Sequence, residues 1–172
     1  MKALYVLVAI LAFSCPLLSQ NQPVPSPAAC GDLNVSMAVS LDSNQYAMEP
    51  PEPGKARIYF IQDAGQSVTV VYPTTKIGID GKWAGANKKD SYFSASVDPG
   101  EHHFCAAIQS SILRKDIEMA HLTAEAGKVY YYRTRIFYSQ YGPEYFSFVP
   151  ADSDEAKYLI DSYPLATAHA RK

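Results

Sequence analysis

From residue 55 onward the chain is a succession of short β-type runs, with a turn signal roughly every 8–12 residues. No helix of ordinary length fits between those signals, and that constraint decides the fold class. Residues 55–62 (KARIYFIQ) are β-branched and aromatic on both faces, the pattern of a strand covered on both sides. Residues 67–72 (SVTVVY) alternate until Pro73 stops them. Residues 75–79 and 83–87 flank Asp80-Gly81, a pair suited to the positive φ angles of a two-residue hairpin turn. Residues 92–97 run into Asp98-Pro99-Gly100, and residues 101–109 return from it. Residues 117–125, 129–138 and 145–149 complete the series, with 33–41 ahead of it. The expectation is an all-β chain, an antiparallel β-sandwich of immunoglobulin-like or prealbumin-like kind with about seven to nine strands.

One helix interrupts this pattern. Asp152 with Glu155 three residues later forms a capping-box arrangement, and Ala156, Leu159, Ile160 and Tyr163 then fall on one stripe before Pro164. A short C-terminal helix over residues 152–163 follows. At the other end, six of the 12 prolines lie between residues 23 and 53, so that region reads as extended chain plus one strand. The sequence therefore divides into a leader over residues 1–20, a proline-rich linker over 21–32, one β-sandwich domain over 33–165 and a tail over 166–172.

The leader is a signal peptide by its pattern: Met1-Lys2 is positive, residues 3–13 are almost wholly apolar, and polar residues begin at Ser19. Cleavage near Ser19 or Gln20 sends the chain out of the cytoplasm, to the periplasm or beyond the cell. The rival reading is lipidation at Cys15, but the positions three and two before it hold Ala12 and Phe13, a poor lipobox. Membrane attachment is expected only in that case, because no later apolar run reaches the roughly 18 residues of a spanning helix. Cleavage leaves Cys30 and Cys105. In an oxidising compartment these two are expected to form one disulfide closing a loop of about 75 residues, the alternative being two buried free thiols.

Charge narrows the partners. Fifteen basic against 17 acidic side chains give a net charge of −2, no basis for holding phosphates, so nucleic acid is excluded as a partner. Catalytic signals are missing too. There is no G-x-S-x-G and no H-E-x-x-H, and Asp152, Asp154 and Glu155 are accounted for by the helix start. His102 and His103 are adjacent on a strand and point to opposite faces, so they do not share a metal, although His121 and Cys105 lie within reach in sequence terms. The expectation is a protein that is not an enzyme and has no metal and no cofactor.

Nine aromatic residues fall between Tyr130 and Phe148. By strand alternation Tyr130, Tyr132, Thr134 and Ile136 point one way, while Tyr131, Arg133 and Arg135 point the other. The first set reads as core. The second reads either as an acid-paired face over the tyrosines or, extended by Tyr138 and Tyr141, as a Tyr/Arg interaction surface. An aromatic surface over residues 138–148 also suits sugar stacking, so an envelope protein or a glycan is the expected kind of partner.

Four stretches also carry a family resemblance: Gly54-Lys55-Ala56-Arg57-Ile58-Tyr59, then Asp80-Gly81-Lys82-Trp83-Ala84-Gly85, then Tyr92-Phe93 through Pro99-Gly100-Glu101-His102-His103, and Ala124-Glu125-Ala126-Gly127-Lys128-Val129-Tyr130-Tyr131. In that order, over roughly residues 54–150, they resemble the bacterial family catalogued as domain of unknown function 2846, and the middle piece resembles PEGA-type β-domains. The resemblance implies a secreted or envelope-associated β-sandwich, often tethered as a lipoprotein, and implies no activity.

Overall fold

The computed structural model describes residues 28–44, 48–64, 72–109, 116–139 and 142–171, with the backbone alone over 137–139 and 142–145. The leader and residues 21–27, Cys15, Tyr141 and residues 67–71 of the SVTVVY run lie outside the described residues. The elements in chain order are β1 (Met37–Asp42), β2 (Ala56–Asp63), β3 (Thr74–Ile79), β4 (Lys82–Lys88), β5 (Ser91–Val97), β6 (Gly100–Gln109), β7 (Ile117–Ala124), β8 (Val129–Ser139), β9 (Gly142–Pro150), α1 (Ser153–Ser162) and β10 (Leu165–Ala170). They form a sandwich of two sheets, ordered β1-β10-β5-β2-β8-β9 and β4-β3-β6-β7. Most neighbours are antiparallel. β2 and β8 run parallel, as a long excursion through the second sheet between them allows.

β2 is buried along nearly its whole length because it separates two cores. Toward the second sheet, Ile58 and Phe60 meet Ile77, Phe104, Tyr132 and Phe148. Phe60 sits edge-on to Phe104 with centroids 5.6 Å apart, and Phe104 sits edge-on to Tyr132 at 5.0 Å. This is the geometry that aromatic quadrupoles favour. On the outer face, Tyr59, Ile61, Tyr92 and Tyr131 are roofed by Ala156, Leu159 and Ile160 of α1. The helix begins where its sequence says: Asp152 accepts hydrogen bonds from the amides of Asp154 (2.8 Å) and Glu155 (3.4 Å). Glu155 does not close the capping box. Its carboxylate goes to Arg133 instead.

Two boundaries need correction. The tail expected over 166–172 contains β10, which pairs antiparallel with β1 from Leu165↔Asp42 to Ala170↔Met37. Its sequence, LATAHA, alternates without bulky residues, so it carries no strand signal of its own and owes its order to its partner. The linker expected over 21–32 is likewise part of the fold at its end. Ala29 and Cys30 are buried beside Trp83, Cys105 and Ala107, held by the Cys30–Cys105 disulfide with Cα atoms 5.1 Å apart.

Candidate functional site

The first sheet is not continuous. β5 pairs with β2 over seven residues, but among the described residues it meets β10 in a single parallel bridge, Leu165↔Tyr92. Beside that bridge the Tyr92 amide donates to the Pro164 carbonyl at 3.1 Å, so the backbone groups of Tyr92 face β10. Residues two apart on a strand share that direction, so the N–H and C=O groups of Ser94 and Ser96 face the same way. On the opposite wall the Arg171 amide donates to Ser36, on the β1 side. By the same alternation Ala166 and Ala168 present their backbone groups to β5. The bridge itself uses the Ala166 amide, which donates to the Tyr92 carbonyl; beyond it the two rows of ladder donors and acceptors face each other with no strand pairing between them among the described residues.

Between the two rows lies a cavity of about 340 Å³, at the small end of the range for ligand sites. Residues from both faces of the sheet line it, Tyr59 and Tyr92 outside and Phe93 and Ala166 inside, so the gap passes through the sheet as far as Ala84, Gly85 and Ala86 of β4. Gly85 is needed there. A Cβ on it would stand 2.6 Å from the Phe93 ring, so only glycine lets β4 form the floor this close to β5. Above the gap the residues 48–54 loop is pinned to the sheet: Tyr59 Oη donates to the Glu49 carbonyl at 3.2 Å, and Arg57 donates to the Pro50 carbonyl and pairs with Glu49 at 2.9 Å. Burial pushes the Tyr59 phenol above its ordinary pKa, with the nearby Arg57 charge pulling more weakly the other way. The site thus offers backbone hydrogen-bonding groups and aromatic walls, the equipment for holding an extended chain.

The Tyr/Arg face is placed differently from a free surface. Tyr131 is 9% exposed, stacked on Tyr59 with centroids 5.8 Å apart beneath α1. Arg133 is bonded to both Asp63 and Glu155, with its side chain only 11% exposed. Arg135 lies further out, 3.9 Å from Asp63. Alternation correctly separates this set from the core set, but α1 covers Tyr131 and Arg133, and the Arg133 charge clamps the helix to the sheet, while Arg135 stays exposed. Among the residues expected to stack on sugars, Phe146 and Phe148 are core residues, while Tyr141 and the Tyr138 side chain lie outside the described positions.

His102 is also structural. Its Nδ1 is 2.6 Å from Asp80 Oδ2 and its Nε2 is 2.8 Å from the Asp98 carbonyl. Both neighbours are acceptors, which favours the doubly protonated ring. Burial alone would lower the His102 pKa, but the Asp80 hydrogen bond, the Asp98 carbonyl and the two nearby carboxylates outweigh it and the pKa is raised. Asp80 in turn takes the His103 amide at 2.9 Å. Its own pKa is lowered, since these bonds and the histidine charges overcome the effect of burial.

The profile of a family described as a protein of unknown function, DUF2846, matches residues 52–144. The chain belongs to the DUF2846 family. No curated protein and no solved structure matches it. In this DUF2846 chain the turn residues of the resemblance motifs form scaffold. Asp80 (φ 49°) and Gly81 (φ 83°) make the β3–β4 turn, and Asp80 ties it to the His102-His103 pair at the start of β6. The matched span holds the β5 wall of the gap, whereas the β10 wall lies beyond it. Sequence reasoning missed the gap because strand order is non-local. The one local signal was Gly85 inside a strand pattern.

Proposed function

We propose that this DUF2846 protein is an exported, non-enzymatic module of the bacterial envelope or its surroundings, and that it binds another protein by taking an extended segment into the gap between β5 and β10. The observation that carries this reading is the single Leu165↔Tyr92 bridge, which leaves both strand edges open to a third strand. An extended segment added to an open edge gains main-chain hydrogen bonds, and alternate side chains find pockets on either face. Export is supported by the charged-then-apolar leader and by the Cys30–Cys105 disulfide, a bond at home in oxidising compartments. A non-enzymatic role is supported by the partners of the described ionic groups: Asp63, Arg133 and Glu155 fasten α1, and Asp80 with His102 fastens two turns.

The test is selection of peptides from a random displayed library on the purified protein, followed by hydrogen exchange of the complex. Selected peptides are expected to alternate apolar and polar residues, and to slow exchange at the Ser94, Ser96 and Ala168 amides by about tenfold or more. The reading is overturned if those amides are already as protected in the free protein as the paired amides of β2. Protection confined to another face, or selective retention on glycans without any peptide binding, overturns it as well.

A further inference from the structure

The outer face of the second sheet brings together three side chains that neither the core nor the gap uses. On β7, Ala120, Leu122 and Ala124 pack toward the core, which turns Met119, His121 and Thr123 outward. On β6, Phe104 and Ala106 are core, so Glu101 and His103 share the opposite, outward face. The register places His103 directly across from His121.

The class of that pair follows from the hydrogen bonds on the far side of β6. The His103 carbonyl accepts from the Asp80 amide at 3.0 Å, and the His103 amide donates to Asp80 Oδ1 at 2.9 Å. Its backbone groups are thus directed to the β3 side, while Ile108 on the same strand donates toward the β7 side, to the Asp116 carbonyl. His103 and His121 therefore form a non-hydrogen-bonded pair, the kind that brings Cα atoms to about 4.5 Å and side chains closest together.

Glu101 completes the set. Its Oε1 lies 3.5 Å from His103 Nε2, and both side chains are more than half exposed. Two ligands each about 2.0–2.1 Å from one tetrahedral ion stand about 3.4 Å apart, against about 2.9 Å at the right angles of a square-planar ion. The observed spacing matches the tetrahedral case. His102 is excluded, because it faces the core side of the strand and both its ring nitrogens are already engaged.

We infer that Glu101, His103 and His121 form an open binding site for a tetrahedral divalent transition metal of the zinc class, with solvent in the fourth position. Imidazole and carboxylate are ordinary ligands for such an ion. As they lie, no three His, Cys, Asp or Glu side chains among the described residues are placed to hold a metal ion, so the site requires the exposed His121 ring to turn toward His103 on binding. The site is independent of the peptide-binding gap, which lies in the other sheet.

Isothermal titration of the full mature chain with zinc chloride tests this, after dialysis against chelator. One ion per chain is expected. His103→Ala and His121→Ala should each weaken binding by about tenfold or more, Glu101→Gln by less, and His169→Ala, a control on exposed β10, not at all. All four side chains are outside the cores, so the metal-free variants should melt with the parent. A melting temperature that rises with zinc in the parent but not in His103→Ala or His121→Ala gives a second readout. Zinc binding that survives both histidine substitutions overturns the inference, and so does the absence of saturable binding by the parent.

Discussion

Asp80→Asn isolates the carboxylate that joins two turns. Asparagine tolerates the φ of 49° at this position, and its amide oxygen still accepts the His103 amide, so the hairpin is kept. What is lost is the bond between a charged imidazole and a carboxylate at 2.6 Å. Such a bond contributes about 1.5–3 kcal/mol when shielded; with the Asp80 side chain 45% exposed, screening reduces it to about 1–2 kcal/mol. At 2–4 °C per kcal/mol for a chain of this size, melting should fall by about 2–8 °C.

The pH dependence carries a definite sign. The folded pKa of His102 is raised, so its contribution is fully present below its unfolded value and is lost as pH rises through the folded one. Asp80 is lowered, so its contribution is present above its unfolded value and is lost as pH falls through the folded one. The pair is strongest between about pH 4 and 6.5. Urea unfolding of the parent, Asp80→Asn, His102→Gln and the double variant is the assay. The cost of Asp80→Asn should be largest near pH 5, shrink toward about pH 8.5, and be non-additive with His102→Gln. An equal cost at both pH values refutes the reasoning, because the lost contact would then not depend on the imidazolium.

Other perturbations address the remaining parts of the fold. Reducing or replacing the Cys30–Cys105 disulfide, 75 residues apart, should cost about 4 kcal/mol in the chain-entropy account, read as a lower urea midpoint in reductant. Gly85→Ala drives a methyl into the Phe93 ring and should cost about 1–3 kcal/mol, partly restored by Phe93→Leu in a double-variant cycle. Arg133→Ala leaves the 17%-exposed Asp63 carboxylate without its main partner and should cost about 2–4 kcal/mol, with early loss of exchange protection in α1. The intact mass of protein made with its native leader should begin near Asn21, and an acyl-glyceryl adduct on Cys15 would mean a tethered protein instead.

How much of this was legible in the sequence depends on whether the deciding interaction was local. The Asp80-Gly81 turn, the doubly covered β2 and the capped helix were all readable, because φ preference, alternation and the 3.6-residue stripe are properties of neighbouring residues. The direction of Tyr131, Arg133 and Arg135 was readable too. That α1 would cover Tyr131 and Arg133 was not, since nothing in residues 129–137 says which face a helix some 20 residues later will choose. β10 is the extreme case: its alanines hold no propensity, and only pairing with β1 makes it a strand. The metal-binding face shows the same rule from the other side. Adjacency separates His102 from His103, but only the β6–β7 register sets His103 against His121.

The geometry of the gap also bounds how tightly it can bind. A short segment lying between Ser94–Ser96 and Ala166–Ala168 completes at most about seven ladder bonds, each contributing about 0.5–1.5 kcal/mol net of the water it displaces. That sum, at most about 4–10 kcal/mol, is taken up by the 4–15 kcal/mol that association and ordering take away. Main-chain pairing alone therefore gives no useful affinity. The side chains must supply the rest, and the gap is built for this on one face more than the other. Outside, Tyr59, Tyr92 and Met48 offer apolar surface beneath a pinned loop, whereas inside, Gly85 and Ala166 leave room only for small groups. A segment that binds well should thus carry large apolar residues at alternate positions and glycine, alanine or serine between them. Exchanging those two sets in a selected peptide shifts its register by one residue and should abolish binding, whereas a peptide that tolerates the exchange is not lying in the gap as a strand.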